Sequence, residues 1–162
     1  MCNGSCNSAK LSTGGTIAVL RPTACISAAS APVDDLLHTA NPAVECDLLF
    51  ENSGDHAGNT QAIFRTKDGS RFDAFRGHFM VIHRDGDARN AASLREDMRN
   101  ALHTIEISAA PDATASGLAR MELPEELQLS VGGQGVIGRR VSIMTGMRDS
   151  GARVAEGIIG WN

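Results

Sequence analysis

The side chains best suited to metal or nucleophilic chemistry in this 162-residue chain are five histidines (His38, His56, His78, His83, His103) and four cysteines (Cys2, Cys6, Cys25, Cys46). Only His78 and His83 lie close in sequence. Their spacing puts them on opposite faces of a strand, because strand side chains alternate with period two, so they do not grip one metal ion together. Each reads as a hydrogen-bonded structural histidine. Cys2-x-x-x-Cys6 offers two thiolates where a structural zinc site takes four ligands, and Cys25 and Cys46 have no close partner. The motif reads as free surface thiols. All four cysteines lie in the first third of the chain, so disulfides cannot staple the remainder.

Gly133-Gln134-Gly135-Val136-Ile137-Gly138 spells G-x-G-x-x-G. A dinucleotide loop must open a helix whose N-terminus receives the pyrophosphate, whereas Arg139-Arg140-Val141-Ser142-Ile143 continues as a β-rich segment, so the glycines read as a turn. Neither G-x-S-x-G nor a P-loop is present, and no Ser-His-Asp or Cys-His pairing can be inferred from spacing.

The elements that would position these residues are short strands. Thr16-Ile17-Ala18-Val19-Leu20 is a first strand, and residues 44–50, 60–66, 75–83, 104–109, 118–123, 127–131, 139–144 and 155–159 are further candidates. Turn signals separate most of them: Asn52-Ser53-Gly54, Lys67-Asp68-Gly69, Asp85-Gly86-Asp87, Gly132-Gly133 and Ser150-Gly151. The pattern predicts an all-β barrel or sandwich. One stretch departs from it. Leu94, Met98, Ala101 and Leu102 form a helical stripe, with Ser93-x-x-Glu96 as a capping box or Asn90 as the cap, and predict a short helix near 90–102. Residues 1–15 are small, polar and aperiodic and read as a flexible tail, leaving 16–162 as one domain.

Composition removes several function classes. Fifteen Lys and Arg against nineteen Asp and Glu give a net charge of −4, which opposes a phosphate-tracking surface. Aromatic residues make up only 4%, without a tyrosine, so stacking platforms for single-stranded nucleic acid are scarce. No run of about eighteen apolar residues exists to span a membrane. The opening Met1-Cys2-Asn3-Gly4-Ser5-Cys6 lacks the basic and apolar regions of a signal peptide, so the chain is expected to be intracellular.

Three pieces, in order, resemble the copper-zinc superoxide dismutase family. Gly77-His78-Phe79-Met80-Val81-Ile82-His83-Arg84-Asp85-Gly86-Asp87 is similar to the family's G-F-H-V-H-E-F-G-D strand and loop. Gly117-Leu118-Ala119, then Val136-Ile137-Gly138-Arg139, resemble its G-x-A-x-V stretch and I-I-G-R. Gly151-Ala152-Arg153-Val154-Ala155-Glu156-Gly157-Ile158-Ile159-Gly160 resembles the terminal G-S-R-L-A-C-G-V-I-G. With strands at 16–20 and 46–50, the likeness runs from about residue 16 to the C-terminus. It implies a Greek-key β-barrel of about eight antiparallel strands.

That family's chemistry uses copper on four histidines, one bridging to a zinc held by two more histidines and an aspartate. By the resemblance, the first copper position is Val81, the second is His83 and a later one is Met144. Residues 88–102, matching the loop that carries bridging and zinc histidines, contain none, and His103 alone falls near the zinc aspartate's place. Glu156 replaces the terminal disulfide cysteine, while Arg153 matches the arginine that guides superoxide. The resemblance thus implies a metal-free protein without cofactor or dismutase activity. Ile82-His83-Arg84-Asp85-Gly86-Asp87 is further similar to the I-H-R-x-G-D run of the inactive, dismutase-like virion proteins of poxviruses. The expected role is a structural or interaction component in a virion or host cytoplasm. The alternatives are a decoy for the host's dismutase copper chaperone and an atypical copper-only dismutase using His83, His78 or His103 with Met144. Ile158, Ile159 and Trp161 on the terminal strand are the candidate interface of a homodimer.

Overall fold

The computed structural model describes residues 14–23, 45–52, 58–67, 75, 77–87, 98–108, 117–145 and 152–162. They form eight strands: β1 (Thr16–Pro22), β2 (Cys46–Asn52), β3 (Thr60–Thr66), β4 (Phe79–His83), β5 (Ala101–Glu106), β6 (Leu118–Glu122), β7 (Arg140–Met144) and β8 (Arg153–Trp161). All neighbours pair antiparallel in one curled sheet of order β5-β4-β7-β8-β1-β2-β3-β6. No helix among the described residues is long and apolar enough to cross a membrane.

Period-two patterning places the core. In β1, β2 and β3, Ala18 and Leu20, Cys46, Leu48 and Phe50, and Ala62 and Phe64 turn to the concave side. There they meet Met80 and Ile82 of β4, Val141 and Ile143 of β7, and Ala155 and Ile159 of β8. Burying each large side chain contributes about 1.5–3 kcal/mol. The segment between β6 and β7 adds Leu123, Leu127, Leu129 and Val136 to the same cluster. It does so with almost no sheet pairing of its own, only an isolated bridge between Val131 and Ile137. The strand expected at 127–131 is therefore an irregular plug, its alternating apolar side chains satisfied by core contact alone.

Two further expectations change. The helix expected near 90–102 does not reach its last residues: Met98 and Arg99 are helical, Asn100 turns, and Ala101 and Leu102 already belong to β5. Residues 88–97 lie outside the described residues. The helical stripe at 101–102 loses because Ala101 pairs with His83 through a register shift, giving its backbone a partner in β4. The tail expected at 1–15 falls outside the described residues up to 13, but Gly15 is buried and Gly14 O accepts from Asn162 Nδ2 at 3.1 Å. Ordered contacts thus begin before β1.

β8 pairs on both sides. Positions 153–158 meet β7, and Ala155, Glu156, Ile159, Gly160 and Trp161 meet β1. The β1 ladder skips Val19 and Leu20, where the two backbones come so close that a Cβ on Gly157 would sit 2.5 Å from Val19 O. We expect Gly157→Ala to destabilise the fold by about 1–3 kcal/mol in urea unfolding, since the neighbouring atom is rigid backbone.

Cys46 is free and fully buried. Burial, with Asp47 adding to it, pushes its thiol up to about 12 from an ordinary 9.0. The folded state holds this proton more tightly than the unfolded chain. Its contribution is therefore whole below about pH 9 and is lost as pH rises toward 12. Urea unfolding at stepped pH should show a shallower alkaline loss of stability for Cys46→Ala than for the wild type.

Candidate functional site

In β4, Met80 and Ile82 enter the core, so Val81 and His83 point to the opposite, convex face, yet both are fully buried. The same holds in β7, where Val141 and Ile143 face the core while Arg140, Ser142 and Met144 are 2%, 0% and 3% exposed on the convex side. Strands enclosed on both faces normally read as continuous apolar runs. Here the enclosed second face mixes the polar His83, Arg140 and Ser142 with Val81 and Met144.

The register orders that face into rows across β4, β7 and β8. Val81 lies opposite Ser142, which lies opposite Glu156; Phe79 lies opposite Met144, which lies opposite Arg153. His83 Nε2 and Ser142 Oγ form a 3.0 Å hydrogen bond. Arg153 Nη1 donates to Glu156 Oε2 at 2.9 Å, and Arg140 Nη1 lies 3.8 Å from the same oxygen. One carboxylate thus sits between two arginines, in a setting where screening by water is weak.

The structure brings Val81, His83, Met144 and Arg153 onto this one face, but separates the histidines. His83 meets Ser142. His78 is buried edge-on against Phe75, with ring centroids 5.8 Å apart. His103 lies opposite Ile82, on the other side of the sheet from His83, and its Nδ1 is 2.7 Å from Glu125 Oε1. Among the described residues no group of three or more His, Cys, Asp or Glu is placed to hold a metal ion. On this face His83 Nε2 is engaged by the Ser142 hydroxyl, beside the buried apolar side chains of Val81 and Met144.

Of the candidate interface residues, Ile159 is fully enclosed in the core, whereas Ile158 and Trp161 are 42% and 45% exposed. Alternation puts the last two on opposite faces of β8. The glycine motif is a turn, as the β-rich residues after it implied: Gly133 and Gly138 have positive φ, and the chain then runs into β7. Arg139 fastens that turn by donating to the carbonyls of Gly133, Gly135 and Arg84.

A second feature lies along β5. A cleft of about 400 Å³ is lined by Arg84, Leu102, His103, Thr104, Glu125, Glu126, Gln128 and Gln134. The His103–Glu125 contact ties its two walls.

Sequence reasoning missed Arg140 and Ser142. Their signal was present as polar alternation with Val141 and Ile143, which reads as a solvent-facing side until the fold covers it. No protein-family model matches the chain, and no curated protein matches its sequence. We expect Glu156→Gln to cost about 2–4 kcal/mol in chemical unfolding, because removing the shared carboxylate leaves two largely buried guanidiniums facing each other.

Proposed function

We propose that the chain is a catalytically inactive superoxide dismutase-like Greek-key barrel that works as a structural or interaction component. The reading is supported by three motifs in family order. It is also supported by a strand order in which β3 lies beside β6 and β4 beside β7, arrangements that need long connections of the Greek-key kind. The observation that carries the inactivity is the occupation of the ligand positions. Val81 and Met144 have no imidazole to give, and His83 engages Ser142 through its Nε2. Copper redox cycling requires a full ligand set with groups behind it that orient each ligand, and one histidine does not supply this.

Arg153, which would otherwise draw an anion toward copper, is engaged by Glu156 at the position of the lost disulfide cysteine. Two covalent or metal-dependent fasteners of the family are thereby replaced by side-chain pairs that a reducing, metal-poor setting does not disturb. The likeness of residues 82–87 to the poxviral virion proteins favours a role in a particle or with a protein partner over one in redox chemistry.

The test is reconstitution of the full chain with copper and zinc, followed by removal of loosely held metal, elemental analysis and a superoxide decay assay. We expect substoichiometric metal and no catalysed decay; one firmly held copper per chain with activity would overturn the reading. The Val81→His, Met144→His double variant should also stay inactive, and should lose about 1–4 kcal/mol of stability by burying two rings without partners.

A further inference from the structure

The sheet has two ends, β5 and β6, and among the described residues β5 pairs only with β4. Ile107 N donates to His78 O, so that residue's main chain points toward the β4 side. Alternation then turns Ile105 and His103 the same way, and points the N–H and C=O of Thr104 and the N–H of Glu106 outward, while the Glu106 carbonyl accepts from Ser108 N at 3.0 Å. The edge is not blunted by a proline or a lysine, the usual devices against strand addition. The cleft runs beside it, with Leu102, His103 and Thr104 on the strand side and Glu125, Glu126, Gln128 and Gln134 on the other.

Three properties make this edge a binding surface. The outward main-chain groups repeat at the spacing an added strand would meet. The opposite wall carries two exposed carboxylates and two amides, against the single guanidinium of Arg84 at the end of β4, so the cleft favours a basic group. Its walls are already joined by the His103–Glu125 contact and by the core plug of Leu127 and Leu129, so little ordering is required on binding.

We propose that the outer edge of β5 docks an extended peptide that adds to the sheet as a further strand and places a basic side chain on Glu125 and Glu126. This gives the interaction reading a definite partner chemistry and rests on it. The two fail separately, since firmly bound redox copper would remove the inactive-dismutase reading without changing a peptide titration.

The probe is a capped hexapeptide of alternating Thr and Lys, titrated to millimolar concentration into the full, ¹⁵N-labelled chain. We expect shifts and slowed hydrogen exchange at Thr104 and Glu106, and none with a Thr-Glu peptide. The Glu125→Gln, Glu126→Gln double variant should bind about tenfold more weakly. Thr104→Pro removes one outward donor while sparing the bonds to β4, and should abolish binding with the rest of the spectrum unchanged. If that variant does not fold, peptides N-methylated at alternate residues in either phase decide the question on the wild type, and at least one phase should fail to bind. Absence of shifts at β5 overturns the proposal, as does equal binding of both methylated peptides. So do edge shifts that track protein concentration without peptide, which would make the occupant a second copy of the chain.

Discussion

The double pairing of β8 is the constraint on which the rest of the structure hangs. Without it, β5-β4-β7 and β1-β2-β3-β6 would be separate sheets, each with an apolar face and no cover. The strand pairs with β7 over 153–158 and with β1 at 155–156 and 159–161, and between the two β1 stretches the backbones come together at Gly157 and Val19. A side chain at that point has no room. The same strand carries Ile159 into the core and Glu156 to the opposite face, so one element both joins the two halves of the curled sheet and sets the side chains of its covered outer side.

That outer side shows how polar side chains come to be enclosed between strands. Enclosing polar side chains is unfavourable unless each finds a partner, and the pairs seen here meet part of that requirement: His83 with Ser142, Arg153 with Glu156, Arg140 close to the same carboxylate. Val81 and Met144 fill the remaining space with apolar volume. A buried ionic cluster of this kind adds little net stability over well-packed apolar side chains, but it penalises loss of any one member, which fixes how β7 and β8 lie together.

The other end of the sheet is governed by a different constraint. β5 and β6 are not joined to each other by a ladder among the described residues, and between them lies the plug at 123–137, which brings Leu123, Leu127, Leu129 and Val136 to the core and leaves Glu125, Glu126, Gln128 and Gln134 exposed. Core burial does not use up main-chain hydrogen bonds. The edge of β5 consequently lies beside a polar wall.

Much of the fold was legible in the chain itself. Alternating side chains at 16–20, 46–50, 60–66 and 140–144 marked the strands. The glycine turn before β7 was readable from the strand-like residues 139–143, because a pleated strand and a helix demand different periods. The absence of imidazole at 81 and 144 was equally plain. Which faces are covered was settled only by contacts in three dimensions. Ala101 and Leu102 fit a helical stripe until β4 offers Ala101 a backbone partner; residues 127–131 fit a strand until the core takes Leu127 and Leu129 without one. Ile158 and Ile159 are indistinguishable by type, and only the direction in which β8 enters the sheet sends one to the surface and the other to the core. Periodicity states which residues share a face, whereas burial of that face depends on segments distant in sequence, and so the polar site on β4, β7 and β8 emerges only when those segments are folded together.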